Sequence, residues 1–240
     1  MNQEQMRHKL ELLRNDAESL LSSWNDRERP YFVEFAGTPK SGKSTCIDTI
    51  SHFFRRLDFK VLAPTEGASK RTPYYLKDNF VAFNTWSASY ALTHILEGRY
   101  GSDKYHIVIL DRGLFDALAW FQLLMNEGDV SNEDCDKIQR FLLVDHWRQF
   151  VDMVFLFQTD PSTSLTREEG DKLIQEPGRA MNPEFLSTLN DAYDEIETQY
   201  GKQFEPLHIV NTSADQKTSP RDTAYHVATK MIEHFKNGAG

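Results

Sequence analysis

Apolar positions along this chain switch repeatedly between two periods. Met6, Leu10, Leu13, Ala17, Leu20, Leu21 and Trp24 recur every three or four residues through a charged background, which predicts an amphipathic helix. Residues 31–36 then form a short β-branched and aromatic run, which predicts a strand. Cys46, Ile47, Ile50, Phe53, Phe54 and Leu57 return to helical spacing, and residues 59–65 predict a second strand closed by Pro64. Residues 74–99 predict one long helix or two broken ones. The almost wholly apolar run 106–110 has the composition of a strand buried on both faces. Residues 114–124 are apolar on nearly all sides, so that helix is either fully buried or an oligomer interface. Phe141, Leu142, Leu143, Val144 and Trp147 add apolar surface in the helix that follows, which points to a possible homodimer. Residues 152–159 and 206–211 predict the fourth and fifth strands. A last helix carries Ala224, Val227, Ala228, Met231, Ile232 and Phe235. Strands alternating with helices predict an α/β fold built on a parallel sheet.

Composition narrows this picture in three ways. A chain of 240 residues with 40% hydrophobic content suits one α/β domain over residues 30–240, with residues 1–29 as a helical appendage used for packing or partner binding. A net charge of −9 argues against a nucleic acid duplex or a membrane surface as the main partner, because those polyanions reward a basic face. Cys46 and Cys135 make no disulfide framework, and neither a leader pattern nor an apolar run of about 18 residues is present, so a soluble cytoplasmic protein is expected.

The chemistry concentrates after the first strand, in Gly37-Thr38-Pro39-Lys40-Ser41-Gly42-Lys43-Ser44-Thr45. Two glycines five apart followed by Lys and Ser make a P-loop, and strand, loop, helix is the order that motif requires. Gly37 and Gly42 let the backbone curl, the N–H groups of Ser41 to Ser44 face phosphate oxygens, and Lys43 reaches the β and γ oxygens. The Ser44 hydroxyl is expected on Mg²⁺. Asp111, at the tip of the third strand, is placed to hold the same ion directly or through water, or else to cap a helix. Arg112 offers a planar fork of donors to a phosphate or carboxylate, and Glu66, after the second strand, stands where open α/β sheets bind ligands. Glu66 is thus a candidate base toward an acceptor hydroxyl, its plain alternative being a solvated turn residue. Phe83 and Trp86, one helical turn apart with Asn84 between, could stack a base and bond its edge, or could simply pack. Arg167 and Arg179 flank a polar segment, about 161–182, that suits a lid closing over phosphates, although Glu168, Glu169, Asp171 and Glu176 partly cancel its field. The loop after the last strand, Asn211 to Asp215, could touch the adenine of ATP.

The order of these parts resembles the thymidylate kinase and deoxynucleoside kinase group of P-loop kinases, over about residues 31–211. The resemblance implies a P-loop NTPase fold: a five-stranded parallel sheet in the order 2-3-1-4-5, flanked by helices and carrying a small lid. It also implies ATP and Mg²⁺ as donor and metal, with a nucleoside or nucleotide as the small-molecule acceptor. Pro64-Thr65-Glu66-Gly67 is similar to the acidic turn of that group, Asp111-Arg112 to its paired acid and arginine, and Arg167 and Arg179 to its lid arginines. Thymidylate kinases usually carry Arg where this chain has Thr65 and Ser87, and deoxynucleoside kinases prefer Glu-Arg-Ser where it has Asp111-Arg112-Gly113. The lean is toward the 5′-hydroxyl of a nucleoside, with a nucleoside monophosphate as the alternative acceptor. In another class stands a nucleotide-binding switch or NTPase that signals through the N-terminal helix.

Overall fold

The apolar run at residues 31–36 becomes β1 (Tyr31–Gly37), and every one of its seven residues is buried. It is the middle strand of a sheet with β2 (Val61–Leu62), β3 (Ile107–Asp111), β4 (Val151–Gln158) and β5 (Leu207–Asn211), in the order β2-β3-β1-β4-β5. All neighbouring pairs run parallel, so the expected order holds. The computed structural model describes residues 3–24, 29–63, 71–101, 105–171 and 180–237.

Alternation along the strands sends successive side chains to opposite faces, and each face has its own core. On one side Phe32, Ala36, Val108, Leu110 and Leu156 pack under α3 (Phe80–Tyr100), α4 (Leu114–Asn126), α5 (Asn132–Leu142) and α8 (Pro183–Tyr200). On the other, Val33, Phe35, Ile109, Phe155 and Phe157 meet α1 (Gln3–Ser22), α2 (Lys43–Arg56) and α9 (Pro220–Asn237). Each of the Val, Leu, Ile and Phe side chains among them, fully removed from water, contributes roughly 1.5–3 kcal/mol before entropy is charged against it. Two shorter helices, α6 (Asp145–Arg148) and α7 (Pro161–Asp171), lie on either side of β4 in the chain.

Several boundaries differ from the expectation for physical reasons. Among the described residues the second strand is Val61–Leu62, an edge strand paired with β3 at Val61↔Ile107 and Leu62↔Val108, and residues 64 and 65 of the expected run lie outside them. Hydrophobic pattern reports burial and carries no information on ladder length. The long segment 74–99 is broken: a 3₁₀ turn, Tyr74–Leu76, precedes α3, whose start is fixed by the Asn79 side chain accepting from the Ala82 amide at 3.0 Å. The helix apolar on nearly all sides, α4, buries its residues Leu114 to Phe121, Leu123 and Leu124 within the chain against α3, α5, α8 and β1, the first of the two alternatives its pattern allowed. In the next helices Phe141 remains exposed, with Trp147 packed on it.

Parallel register brings the strand ends together. Phe35 lies beside Asp111 and Gly37 beside Phe157, so the loops leaving β1, β3 and β4 open on one edge of the sheet.

Candidate active site

Gly37 ends β1 at φ 132°, and a Cβ there would stand 2.0 Å from the Phe157 carbonyl oxygen, so only glycine passes β4 at this point. The chain then turns through Lys40 at φ 58° and Gly42 at φ 91° before α2 begins at Lys43. No side chain caps α2 and no acid occupies its first turn, so its leading amides and positive dipole end face the cleft. The loop carbonyls face the other way. Lys43 Nζ donates to the carbonyls of Gly37 (2.7 Å) and Thr38 (2.9 Å), and the Ser164 hydroxyl donates to that of Pro39 at 3.0 Å. Arg167 donates to the carbonyl of Lys40 at 2.9 Å, and the Thr212 hydroxyl to that of Ser41 at 2.8 Å. With every carbonyl from Gly37 to Ser41 held by a side chain, the loop is set with its amides inward, as an anion nest requires.

Lys43 is buried, and burial, helped by the nearby Arg112 charge, lowers its ammonium pKa to about 8 while Asp111 and Asp116 act in the opposite direction. Ser44 is exposed beside it, at the helix start. Asp111 is half-buried at the β3 tip. Arg112 follows in the left-handed region at φ 68°, its guanidinium 5.1 Å from the Trp120 ring centroid and 2.9 Å from the Asp116 carboxylate. Burial opposes the Arg112 charge, but Asp116, with Tyr193 and Asp111, outweighs it and raises its pKa further.

Two buried acids do the local engineering, and sequence reasoning missed both as site residues. Glu34 is a lone acid in the otherwise apolar β1, wholly inaccessible, and it accepts from the amides of Gly113 (3.1 Å), Phe115 (3.1 Å) and Asp116 (2.7 Å), capping α4 from a neighbouring strand. Burial raises its pKa to about 7; the three amides pull it down and the Asp116 charge pushes it up. Gly113 is required for this approach, since a Cβ would meet Glu34 Cδ at 2.5 Å. Asp116 is the second, a single carboxylate in the apolar first turn of α4. The signal available in both cases was one acid in a run that otherwise buries completely, a pattern that demands a partner.

A cavity of about 970 Å³ connects these parts. It is lined by the P-loop residues Lys40 to Thr45, by Asp111 and Arg112, and by Arg167. On the β5 side it reaches Thr212, Thr218 and Thr223; on the α3 side it reaches Lys77, Phe80, Phe83 and Trp120. Since β1 stands mid-sheet, the phosphate loop separates these two lobes.

The expected residues divide accordingly. Lys40, Ser41, Gly42, Lys43, Ser44, Thr45, Asp111, Arg112, Phe83 and Arg167 come together on the cavity wall. Arg167, expected as a lid arginine, donates in this structure to the Lys40 carbonyl and, at 2.6 Å, to the Thr212 carbonyl, while Glu168 pairs with Lys40 at 3.1 Å. Asn84 is buried and donates to the Phe80 carbonyl of its own helix at 2.8 Å, away from the cavity lining. Trp86 stacks on Tyr90, ring centroids 5.0 Å apart and 11° from parallel, also outside the lining. Aromatic residues at helical spacing have packed on one another, the commoner outcome. Glu66 and Arg179 lie outside the described residues.

No protein-family model and no curated protein matches the sequence. Solved structures do match. A deoxyadenosine kinase from M. mycoides with bound dCTP superposes with TM-score 0.57 at 20% identity, over 84% of this chain and 99% of that one. A thymidylate kinase from Candida albicans superposes with TM-score 0.55 at 16% identity, over 87% of this chain and 93% of that one. This chain shares the fold of these two proteins. At such identities the likeness is one of fold, and it reaches both branches that the sequence resembles. The strand order β2-β3-β1-β4-β5, with a P-loop after the first strand, is the frame on which this P-loop kinase fold presents its cavity. No described helix is long and apolar enough to cross a membrane.

Proposed function

We propose that this protein transfers the γ-phosphate of ATP to the 5′-hydroxyl of a nucleoside. The observation that carries the reading is the two-lobed cavity, continuous across the phosphate loop, with an aromatic and arginine-bearing lobe on the α3 side. A triphosphate seated on the α2 amides has its base toward Thr212, Thr218 and Thr223, and an acceptor against Phe80, Phe83 and Trp120 faces the loop from the opposite lobe. Lys43 and the loop amides hold the donor phosphates, and Arg112 meets the charge that spreads over the transferred group. Glu66 orients the acceptor hydroxyl and takes its proton, and Arg179 adds a charge from the lid. Arg167 acts here as a brace on the loop. Ser44 and Asp111 offer an alcohol and a carboxylate on the same wall, hard oxygen donors that fit Mg²⁺. Held by these two residues, such an ion would supply positive charge to offset the charge that develops on the phosphates. Catalysis by the chain is then placement and electrostatics.

A nucleoside monophosphate is the second acceptor considered, because Arg112 lines the acceptor lobe and could clamp its phosphate. The switch reading gains less support: Leu13, Ala17 and Leu20 of α1 are buried in the same core as β1, so that face of the helix is used in packing. Labelled ATP offered with a panel of nucleosides and monophosphates separates the readings. Acceptor-dependent product, greatest with a nucleoside, is expected; phosphate release that ignores every acceptor would overturn the kinase assignment in favour of an NTPase.

A further inference from the structure

Asp116 is 2% exposed, and its carboxylate is bonded in three directions. Oδ1 accepts from the Gly37 amide at 3.1 Å and from the Tyr193 hydroxyl at 2.6 Å, while Oδ2 accepts from Arg112 Nη1 at 2.9 Å. The Tyr193 hydroxyl stands 3.2 Å from the same Gly37 amide, which therefore divides its hydrogen between the two oxygens. Gly37 opens the phosphate loop, and its carbonyl anchors Lys43. Arg112 borders the acceptor lobe, and Tyr193 lies on α8, the helix that follows the lid segment. One buried carboxylate thus touches the donor side, the acceptor side and the helix behind the lid.

We infer that Asp116 is a positioning residue that fixes Arg112 and the phosphate loop relative to one another, with Tyr193 as the strut that orients its carboxylate. The geometry gives the reason. Arg112 sits in a left-handed backbone conformation that an arginine adopts only under constraint, and its guanidinium is aimed by two contacts, Asp116 on one edge and Trp120 on its face. Without the carboxylate the planar fork keeps its charge and loses its direction. Burial, with the Asp116 charge, holds the Tyr193 phenol protonated well above its ordinary range, so it remains a donor throughout the working pH range.

For its catalytic readout the inference rests on the kinase reading. Asp116→Asn keeps an acceptor for Gly37 and Tyr193 but turns a donor toward Arg112; kcat should fall about a hundredfold, the scale of a misplaced catalytic group, with the ATP dissociation constant unchanged. Asp116→Ala removes both arms, so kcat should fall and ATP binding should weaken about five- to tenfold as well, the scale of one hydrogen bond. Tyr193→Phe, which retains the ring, should lower kcat by a smaller factor and covers the case in which the Asp116 variants do not fold. Ile196→Ala, on the same helix and equally buried, is the control: it should lower the melting temperature without moving kcat. Loss of kcat that merely tracks melting temperature across all four variants, or full kcat in Asp116→Asn, would overturn the inference. Should the wild type transfer to no acceptor, the function reading fails separately. ATP binding then decides: weakening in Asp116→Ala but not Asp116→Asn sustains the link to the loop, and equal binding in both ends it.

Discussion

Lys43 spends its charge on the Gly37 and Thr38 carbonyls in this structure, and the same ammonium is the only one the loop motif places against β and γ phosphate oxygens. Lys43→Ala should therefore reduce phosphoryl transfer by about a thousandfold, the upper range for losing one preorganised donor. Near-wild-type turnover in a labelled-ATP assay would contradict that role. Glu34 makes a prediction of a different kind. Its folded pKa of about 7 lies above the ordinary 4.5, so between those values the native state binds more protons than the unfolded state. Stability from this group is fully present below about 4.5 and falls as pH rises through 7, by an amount of order 3 kcal/mol. Glu34→Gln removes that slope. The melting temperature of wild type minus that of the variant should shrink as pH rises from 4.5 to 7, with Asp116 and its Arg112 partner unchanged in both proteins; a difference independent of pH would show that Glu34 stays ionised. Neither Glu34 nor Asp116 was legible as a site residue, because the α4 amides that Glu34 accepts from, and Gly37 and Tyr193 on Asp116, arrive from distant parts of the chain, whereas Lys43, Ser44, Asp111 and Arg112 are set by a local motif or a strand tip.

Elements were legible where burial repeats with a period and less so where a partner sets their extent. The helices α1, α2 and α9 follow directly from apolar spacing, since a stripe of that kind has few other ways to leave water. The length of β2 and the break before α3 depend on pairing and on one asparagine cap, which hydrophobic pattern does not encode. The junction of β1 with the phosphate loop lies between these cases: the glycine is visible in the motif, yet its neighbour across the sheet is not. Gly37→Ala would combine a Cβ 2.0 Å from the Phe157 carbonyl oxygen with a φ of 132°, on a pair of strands that cannot separate without opening both cores. The expected cost is about 3 kcal/mol or more, read as a fall in the denaturation midpoint together with loss of nucleotide binding. Wild-type stability would mean that β4 yields at this point more easily than its burial allows.

At the scale of the molecule, the cavity and the N-terminal helix are separated by the second core. Leu20 of α1 is 3% exposed among residues of that core, which also holds Phe54, Phe59, Met231 and Phe235, and it does not line the cavity. Leu20→Ala leaves a void in a close-packed layer and should cost about 2–5 kcal/mol of unfolding free energy. The cavity edge is assembled from the ends of β1, β3 and β4 and from the starts of α2 and α9, and Leu20 is not among the residues that line it. Acceptor-dependent turnover measured well below the melting temperature should then stay at the wild-type value. If the same variant instead lost turnover while still folded, α1 would be coupled to the cleft through α9, whose first residues Pro220 and Thr223 line its donor lobe. That outcome would make the helix part of the site's regulation, whereas unchanged turnover with lowered stability identifies it as the outer layer that lets a parallel sheet be covered on both faces.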